Sequence, residues 1–590
     1  MRRPGRAVAA VIIGVIGATF PLVRLLADAD SARTLASQWE EYAANVPKTI
    51  IELQPFRETT SVELPSSGGR AAATLINLNP RVNAWFLLSL QRSAGGRVSV
   101  YHLENPQPKV QALSVGASHP YGIRISVGGR DVDCELWRDE TGGPLPQAQA
   151  SGLPYAPLCE DRLYLRNPVS GTYTHLERVT NFLRDHVWGG EQIVGFVRKQ
   201  FFADAFVERS GSAFAPETRI PSTSGPPPAR VRDEFARPVV PEHLAIDVGQ
   251  GAGGLMMGQW YAARGTDGIF LSVVQPQALA AAGSSGGLHA AGELDSVEGA
   301  ALDYMVALDL ARFDLGFAIG TDHPRVGWSE RTLESVRNPK LPGPDGIGSV
   351  APLVVNGMVN PPTVERVAAT FAGGFKREHG AFHYGVLAER NKGSHYGFIE
   401  QGVVFSKLQP DLATLFVEDD GTVGMKTWTA ADDPGLSQIK YARQNGVPLI
   451  EYDEASRRSS AGALIASWGP GNWSGSSDER LRTLRAGACL LVSGTSRYLV
   501  YGYFSTATPS AMARVFQAYG CRYAMHLDMN ALEHTYFAIY THEGGRIAVQ
   551  HLIEGMAEVD RKGGDSLAPR FLSFPDDRDF FYLTWKGPQP

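Results

Sequence analysis

Short apolar runs separated by turn residues recur along most of the chain. Before residue 210 they occupy residues 60–64, 98–103, 123–127 and 132–137, with glycine, proline and asparagine between them. After residue 240 they return at residues 269–274, 304–310 and 313–319. Short apolar runs bounded by turn residues are typical of β-strands. We therefore predict that both halves of the chain are rich in β-structure.

One hairpin is predicted with more detail. Residues 413–418 and 422–428 alternate in polarity on either side of Asp420-Gly421. This dipeptide favours the primed turns that connect two adjacent antiparallel strands. We predict a β-hairpin at this position.

A helix followed by a strand is predicted near residue 510. Thr508 is a suitable N-cap, and Pro509 suits the first helical position. Gly520 suits the end of the helix. A strand predicted at residues 522–527 follows directly and leads to Asp528. We predict an α+β fold, in which a β-rich N-terminal domain precedes a C-terminal domain with a mixed β-sheet and a few helices.

A stretch rich in proline, serine and glycine divides the chain between residues 210 and 241. Such a stretch packs poorly and is typical of a linker. The chain has 590 residues, too many for one hydrophobic core. We predict a β-rich domain of unknown function at 50–210, a linker at 211–240 and a second domain at 241–590.

The N-terminal residues 1–30 have the pattern of an export segment. Arg2, Arg3 and Arg6 precede the uncharged run 7–23. A positive flank followed by an apolar run is typical of a signal peptide, and the run is close to the length of a membrane span. We predict either a cleaved signal peptide or an N-terminal membrane anchor. In both cases the remainder lies in the periplasm or cell envelope.

The four cysteines are compatible with an exported protein. They are Cys134, Cys159, Cys489 and Cys521, which allow three pairings. If the two halves are separate domains, Cys134–Cys159 and Cys489–Cys521 are the expected disulfides. Buried free thiols are the alternative.

Several function classes are disfavoured. The net charge of −6 is spread along the chain without a basic stripe, so we predict no nucleic-acid partner. The GxGxxG pattern at residues 249–254 lacks the long helix that a dinucleotide fold requires, and we predict no cofactor. His526, Asp528, Glu533 and His534 match no known metal-binding spacing, and we predict no metal.

Five segments in order resemble bacterial members of the phosphodiester glycosidase family, over roughly residues 265–540. Their sequences are MVALDL at 305–310, GTDHP at 320–324, FAGGFK at 371–376, RQNGVPLI at 443–450 and AMHLDMN at 524–530. The resemblance implies removal of a covering N-acetylglucosamine from a sugar phosphodiester. It also implies a link to exopolysaccharide or envelope glycans.

Two motifs depart from the family pattern. Ala372 stands where the family commonly has asparagine before Gly-Gly-Phe. Met529 and Asn530 follow Asp528, where the family has glycines. These departures put activity in doubt while the aspartate is retained.

The predicted catalytic residues are Asp528 and His526. A carboxylate near the anomeric carbon and a base suit glycosyl transfer to water. Asn530 shares a strand face with both, because side chains alternate with period two, and it is predicted to bind substrate.

The remaining predicted substrate-binding residues come from two other segments. Gly373 and Gly374 allow backbone amides to approach an anionic oxygen. Lys376 and Arg443 are candidates for pairing with phosphate, and Asn445 for orienting the sugar.

These inferences predict an exported hydrolase that acts on a glycosyl phosphodiester or a related glycosidic linkage. The predicted partner is a carbohydrate or sugar phosphate, with a membrane tether through residues 7–23 as an option. The alternative is a non-catalytic glycan-binding or polysaccharide-assembly protein on the same fold.

Overall fold

The computed structural model describes most of the chain beyond the export segment. The described residues are 50–52, 54–64, 71–91, 96–138, 142–174, 177–179, 182, 186, 205–209, 217–249, 253–280, 293–323, 349–376, 396–465, 481–563 and 566–587. The predicted signal or anchor at 1–30 lies outside them. Among the described residues, no helix has both the length and the apolar character needed to cross a membrane.

The N-terminal half forms two antiparallel sheets. Its elements are β1 (Glu58–Leu64), β2 (Ala71–Asn77), β3 (Trp85–Gln91), β4 (Val98–Glu104), β5 (Gln111–Ser114), β6 (Gly122–Val127), β7 (Arg130–Glu135), α1 (Pro144–Ala150), β8 (Tyr155–Leu158) and β9 (Leu163–Arg166). One sheet has the order β1-β2-β3-β4-β9-β8, and the other has the order β5-β6-β7. Alternate residues of β2, Ala73 and Leu75, lie in the core between them, as expected for strands with one buried face.

The C-terminal half contains many more strands and three short α-helices in the described residues. Its strands are β10 (Pro238–Val239), β11 (Leu255–Met256), β12 (Tyr261–Ala262), β13 (Ile269–Val274), β14 (Asp303–Asp309), β15 (Phe313–Ala318), β16 (Val367–Ala372), β17 (Phe398–Glu400), β18 (Val403–Ser406), β19 (Ala413–Glu418), β20 (Val423–Thr427), β21 (Ile439–Gln444), β22 (Pro448–Asp453), β23 (Arg458–Ala461), β24 (Thr483–Ser493), β25 (Ser496–Ala507), β26 (Cys521–Met529), β27 (Phe537–Glu543), β28 (Arg546–His551), β29 (Arg561–Gly563), β30 (Ser566–Ala568) and β31 (Phe580–Trp585). The helices are α2 (Ser296–Ala300), α3 (Pro361–Val364) and α4 (Pro509–Ala518), with 3-10 turns at Asp233–Phe235, Pro276–Ala278, Ala430–Gln438 and Glu554–Val559.

Three larger sheets make up this half. An eight-stranded sheet has the order β12-β13-β14-β25-β24-β26-β22-β23. Two five-stranded sheets have the orders β15-β31-β16-β27-β28 and β18-β17-β21-β19-β20. Many of their strands are buried on both faces, as β13, β14 and β16 show, so the sheets pack around one large core.

The predicted α+β class with a mixed sheet is wrong, because the described residues form mostly antiparallel sheets with few helices. The order strand, helix, strand over β25, α4 and β26 is typical of a parallel crossover. In the structure β25 and β26 do run parallel, but β24 lies between them and pairs antiparallel with both, so they form no parallel pair. The local pattern could not reveal this insertion, because β24 precedes all three elements in the sequence.

Two local predictions are confirmed. Strands β19 and β20 pair antiparallel on either side of Asp420-Gly421. The turn itself is not of the primed type, because Gly421 has a positive φ and Asp420 does not, and Gly421 N donates to Glu418 O. Thr508 Oγ1 accepts a hydrogen bond from Ala511 N at 3.2 Å, which caps α4 at the predicted residue. Gly520, with φ of 77°, follows the helix as expected.

Both expected disulfides are present. Cys134 bonds to Cys159 with the Cα atoms 5.7 Å apart, and Cys489 bonds to Cys521 with the Cα atoms 5.9 Å apart. Disulfides of this kind indicate an oxidising environment outside the cytoplasm.

Part of the predicted linker packs on the C-terminal half. Trp260 Nε1 donates to Pro227 O at 2.9 Å, and Arg219 N donates to Gly254 O at 3.0 Å. Strand β10, at the end of this stretch, pairs with β11. The boundary at 211–240 stays a prediction, and its described part is joined to the C-terminal side.

The N-terminal sheet also contacts the C-terminal half. Trp85 of β3 belongs to the same hydrophobic cluster as the C-terminal strands. Tyr155 Oη donates to Met358 O at 3.0 Å, and Arg166 Nη2 donates to Val354 O at 3.1 Å. Residues that follow β9 therefore start close to the C-terminal sheets.

Candidate active site

The candidate site lies at one edge of the sheet β15-β31-β16. Phe580, the first residue of β31, pairs with Ala318 at the end of β15 and with Ala372 at the end of β16. Antiparallel pairing thus brings the segments after β15 and β16 beside the segment that precedes β31. Loops that meet at strand ends are frequent places for functional side chains.

The segment before β31 has the sequence Asp576-Asp577-Arg578-Asp579, and all four residues are buried. Asp576 forms two hydrogen bonds with Arg570, at 2.7 and 2.9 Å. The other three side chains pair with different segments of the chain, as described below. The sequence prediction missed this segment, although a run of four charged residues before an apolar strand is a visible signal.

Asp528, near the end of β26, pairs with Arg578. Its Oδ2 accepts from Arg578 Nη1 at 2.7 Å, and its Oδ1 accepts from Met529 N at 2.8 Å. Asp528 is 4% exposed. This carboxylate is therefore oriented by one backbone amide and one guanidinium.

Arg578 has two further acceptors. Its Nε donates to Glu177 Oε1 at 2.7 Å, and its Nη2 lies 2.6 Å from His534 Nε2. His534 Nδ1 lies 2.9 Å from Met529 O, so donation from Nδ1 leaves Nε2 to accept from Arg578. Burial raises the pKa of Glu177, but the charge of the nearby Arg578 outweighs it and brings that pKa well below its usual range.

Lys376 forms a second charged group next to the first. Its Nζ lies 2.7 Å from Asp322 Oδ2 and also forms an ion pair with Asp577. The ring of Tyr173 lies 4.9 Å from Nζ, and the Tyr173 hydroxyl donates to Asp322. Burial raises the pKa of Asp577 to about 7, and the charges of Asp576 and Glu177 add to this effect against that of Lys376.

Arg443 contacts the same charged segment through Asp579 and is fully buried. Its Nε donates to Asp579 Oδ2 at 2.9 Å, its Nη2 donates to Phe375 O at 2.5 Å, and its Nη1 donates to Gln444 O. Gly373 N donates to Asp579 O at 2.7 Å. Arg443 and the Gly373 amide thus bind other parts of the protein and connect β21 to the segment before β31.

Asn445 connects the same layer to β26. Its Nδ2 donates to His526 O at 2.8 Å and to Leu527 O at 2.5 Å, while its Oδ1 accepts from Phe375 N at 3.3 Å. Gly374 has φ of +139°, and a Cβ there would lie 3.0 Å from Asn445 Cγ. This close approach favours glycine at position 374. The two hydrogen bonds from Asn445 hold the backbone that leads to Asp528.

His526 is buried with both ring nitrogens engaged. Nδ1 lies 3.0 Å from Leu527 O, Nε2 lies 3.1 Å from Arg485 Nη1, and the ring stacks on Phe375 at 4.9 Å. Burial, and secondly the charge of Arg485, lower the pKa of His526 well below its usual value. A neutral imidazole that donates from Nδ1 and accepts at Nε2 satisfies both contacts.

Asn530 lies just beyond β26 in a left-handed conformation with φ of 80°. Its Oδ1 accepts from Thr483 Oγ1 at 3.2 Å, and its backbone N donates to Leu484 O at 2.9 Å. The structure therefore brings Asp528 together with Lys376 around Arg578. The other predicted site residues, apart from Asn530, contact buried parts of the protein around Asp579 and β26. Asn530 lies against the start of β24.

The numbers of positive and negative side chains in this largely buried group are unequal. Two cations, Lys376 and Arg578, contact four carboxyl groups, those of Asp322, Glu177, Asp528 and Asp577. An excess of carboxylates favours protonation of one of them, and the raised pKa of Asp577 agrees with this. A protonated and an ionised carboxyl in one network are the groups that acid–base catalysis uses. No set of three or more potential metal ligands occurs among the residues that the structure describes.

No protein-family model matches the chain, and no curated protein matches it. Solved structures with distant similarity to the chain include the following two. The catalytic domain of zebrafish N-acetylglucosamine-1-phosphodiester alpha-N-acetylglucosaminidase, auto-inhibited by its pro-peptide, is 10% identical over 62% of this chain and 97% of that one, with a TM-score of 0.28. A hypothetical protein from Synechocystis is 9% identical over 85% of this chain and 97% of that one, with a TM-score of 0.26. TM-scores this low determine neither the fold nor the function of the chain.

Proposed function

We propose that this protein is an exported hydrolase that cleaves a glycosyl phosphodiester or a related glycosidic linkage in envelope glycan or exopolysaccharide metabolism. The observation that carries the proposal is the contact of Asp528 with Arg578, beside Lys376. These residues lie where the segments that resemble phosphodiester glycosidases meet. Cleavage develops positive charge at the anomeric carbon and negative charge on the phosphate, so a carboxylate next to fixed cations suits both.

The reaction breaks the bond between the anomeric carbon and the phosphate oxygen, and the bonding electrons leave with the phosphomonoester. In this proposal Arg578 and Lys376 bind the departing phosphate, and Asp528 faces the anomeric carbon. Water supplies the new hydroxyl, and Asp528 accepts its proton. A phosphate leaving group needs no proton, whereas an alcohol does. For a related glycosidic linkage, Asp577, whose pKa is raised to about 7, is the proposed proton donor.

The buried predicted residues have positioning roles in this proposal. Asn445 braces the two carbonyls before Asp528, and Arg443 fixes Asp579 next to Arg578. His526 is assigned the same kind of role, because its ring nitrogens already bond to Leu527 O and Arg485.

A non-catalytic glycan-binding protein is the second candidate function. It is favoured by the low exposure of Asp528 and by the ion pairs of both cations. Side chains that are already ion-paired bind a charged substrate less strongly, because the existing ion pairs must first be broken.

Replacement of Asp528 by asparagine tests the proposal. The substrate is the methyl phosphodiester of N-acetylglucosamine 1-phosphate, and the release of methyl phosphate is measured. Asparagine keeps an acceptor for Arg578 and removes the charge, so we expect kcat to fall by about 10²–10⁴-fold. Asp453→Asn is the matched control, because Asp453 also ends a strand but is exposed.

The thermal midpoint of each variant is recorded alongside activity. Wild-type turnover in Asp528→Asn would remove Asp528 from the mechanism. An inactive wild-type protein that still binds N-acetylglucosamine 1-phosphate would favour the second candidate function.

A further inference from the structure

A segment from the N-terminal half reaches the candidate site. Thr172 N donates to Pro575 O at 3.0 Å, directly before the charged segment 576–579. Tyr173 contacts both Asp322 and Lys376, as described above. These residues precede the predicted linker, so the contacts connect the two halves of the chain at the site itself.

Glu177 of the same segment is buried and rigidly oriented. Thr174 N donates to Glu177 Oε2 at 3.0 Å, and Glu177 N donates to Thr174 Oγ1 at 3.1 Å. This reciprocal pair is a capping box, with Thr174 as the cap and Glu177 three residues later. One carboxylate oxygen is thereby fixed by the local backbone, and the other, Oε1, accepts from Arg578.

The contact with Glu177 determines the plane of the Arg578 guanidinium. Arg578 donates from Nε to Glu177, from Nη1 to Asp528 and from Nη2 to His534, so three acceptors fix one planar fork. Without the Glu177 charge, the guanidinium loses the carboxylate that holds its Nε. The carboxylate of Asp528 then loses its fixed partner.

We infer that Glu177 is a positioning residue of the active site and that Thr172, Tyr173, Thr174 and Glu177 of the N-terminal half complete this site. The inference rests on the proposed function and extends it, because it assigns part of the catalytic unit to the region before residue 210. An inhibitory role is the competing interpretation, in which the Glu177 carboxylate occupies the place of a substrate phosphate. The two interpretations predict opposite changes in turnover when the Glu177 charge is removed, because loss of an inhibitor increases turnover.

Steady-state kinetics of the full chain separate these roles. Glu177→Gln keeps the size of the side chain and removes its charge, and we expect kcat to fall about tenfold or more with KM changed far less. Glu177→Asp keeps the charge and should restore part of kcat. Arg178→Gln is the matched control, because Arg178 is the adjacent residue and is exposed. Unchanged or increased kcat in Glu177→Gln overturns the inference.

Binding of inorganic phosphate, measured by calorimetry, gives a second result that does not depend on turnover. Loss of the fixed Arg578 guanidinium should weaken phosphate binding about fivefold or more in Glu177→Gln and leave it unchanged in Arg178→Gln, whereas an inhibitory Glu177 carboxylate predicts tighter binding in Glu177→Gln. If the wild-type protein hydrolyses no glycosyl phosphodiester, the proposed function fails. The phosphate result then decides the inference, and unchanged or tighter affinity in Glu177→Gln overturns it.

Discussion

Replacement of Gly374 by alanine tests whether Gly374 and the buried Asn445 are packed as closely as the structure indicates. Gly374 has φ of +139°, a conformation that is nearly exclusive to glycine. The added Cβ would lie 3.0 Å from Cγ and 3.1 Å from Oδ1 of Asn445. Asn445 cannot move away freely, because its Nδ2 donates to His526 O and Leu527 O.

The expected magnitude has two parts. A non-glycine residue in this backbone region costs about 1–3 kcal/mol. A displaced Asn445 loses or weakens buried hydrogen bonds, which costs about 1 kcal/mol each. We therefore expect Gly374→Ala to lower the free energy of unfolding by about 2–4 kcal/mol. If the protein is a hydrolase, kcat should fall as well, because Asn445 braces the carbonyls before Asp528.

Two glycines of the same chain serve as controls. Gly494 has φ of +58° and no atom within 4 Å of an added Cβ, so Gly494→Ala measures the backbone effect alone, about 1 kcal/mol. Gly435 has neither a positive φ nor a neighbour within 4 Å, so Gly435→Ala should leave stability nearly unchanged. Denaturant unfolding gives the three values. A loss in Gly374→Ala no larger than that in Gly494→Ala would refute the reasoning.

Two further predictions concern stability. The pKa of Asp577 rises from 3.8 to about 7 on folding, so the unfolded state loses this proton first and stability decreases as pH rises from about 4 to about 7. Asp577→Asn should remove up to about 4 kcal/mol of this decrease, measured by denaturant unfolding at several pH values, and an identical pH profile would contradict it. Replacing Cys489 and Cys521 together by alanine should lower the free energy of unfolding by about 3 kcal/mol, and an unchanged denaturation midpoint would count against a stabilising disulfide.

Predictions that depend on neighbouring residues agree well with the structure. The hairpin around Asp420-Gly421 and the cap at Thr508 each depend on a few consecutive residues, and both are present. The pairing of Cys489 with Cys521 also agrees with the structure. Residues close in sequence remain close in space, so their chemistry determines the local conformation.

Predictions that depend on the order of strands in space were less successful. The mixed sheet was wrong because β24 inserts between β25 and β26, and sequence order does not show such an insertion. The same limitation concealed the partners of Asp528. Arg578 lies 50 residues beyond Asp528, and Glu177 lies 401 residues before Arg578.

The sequence by itself determined where several strands, the hairpin around Asp420-Gly421 and the α4 helix occur, because these depend on propensity and capping. It left three cysteine pairings open, and the structure decided between them. It also identified Asp528 and Lys376 as candidate functional residues through the family resemblance. Only the tertiary structure decided that Arg578 joins Asp528 to Glu177 and that His526 and Arg443 are fully bonded within the core. Those roles depend on burial and on partners distant in sequence, and both arise only when the sheets pack against one another.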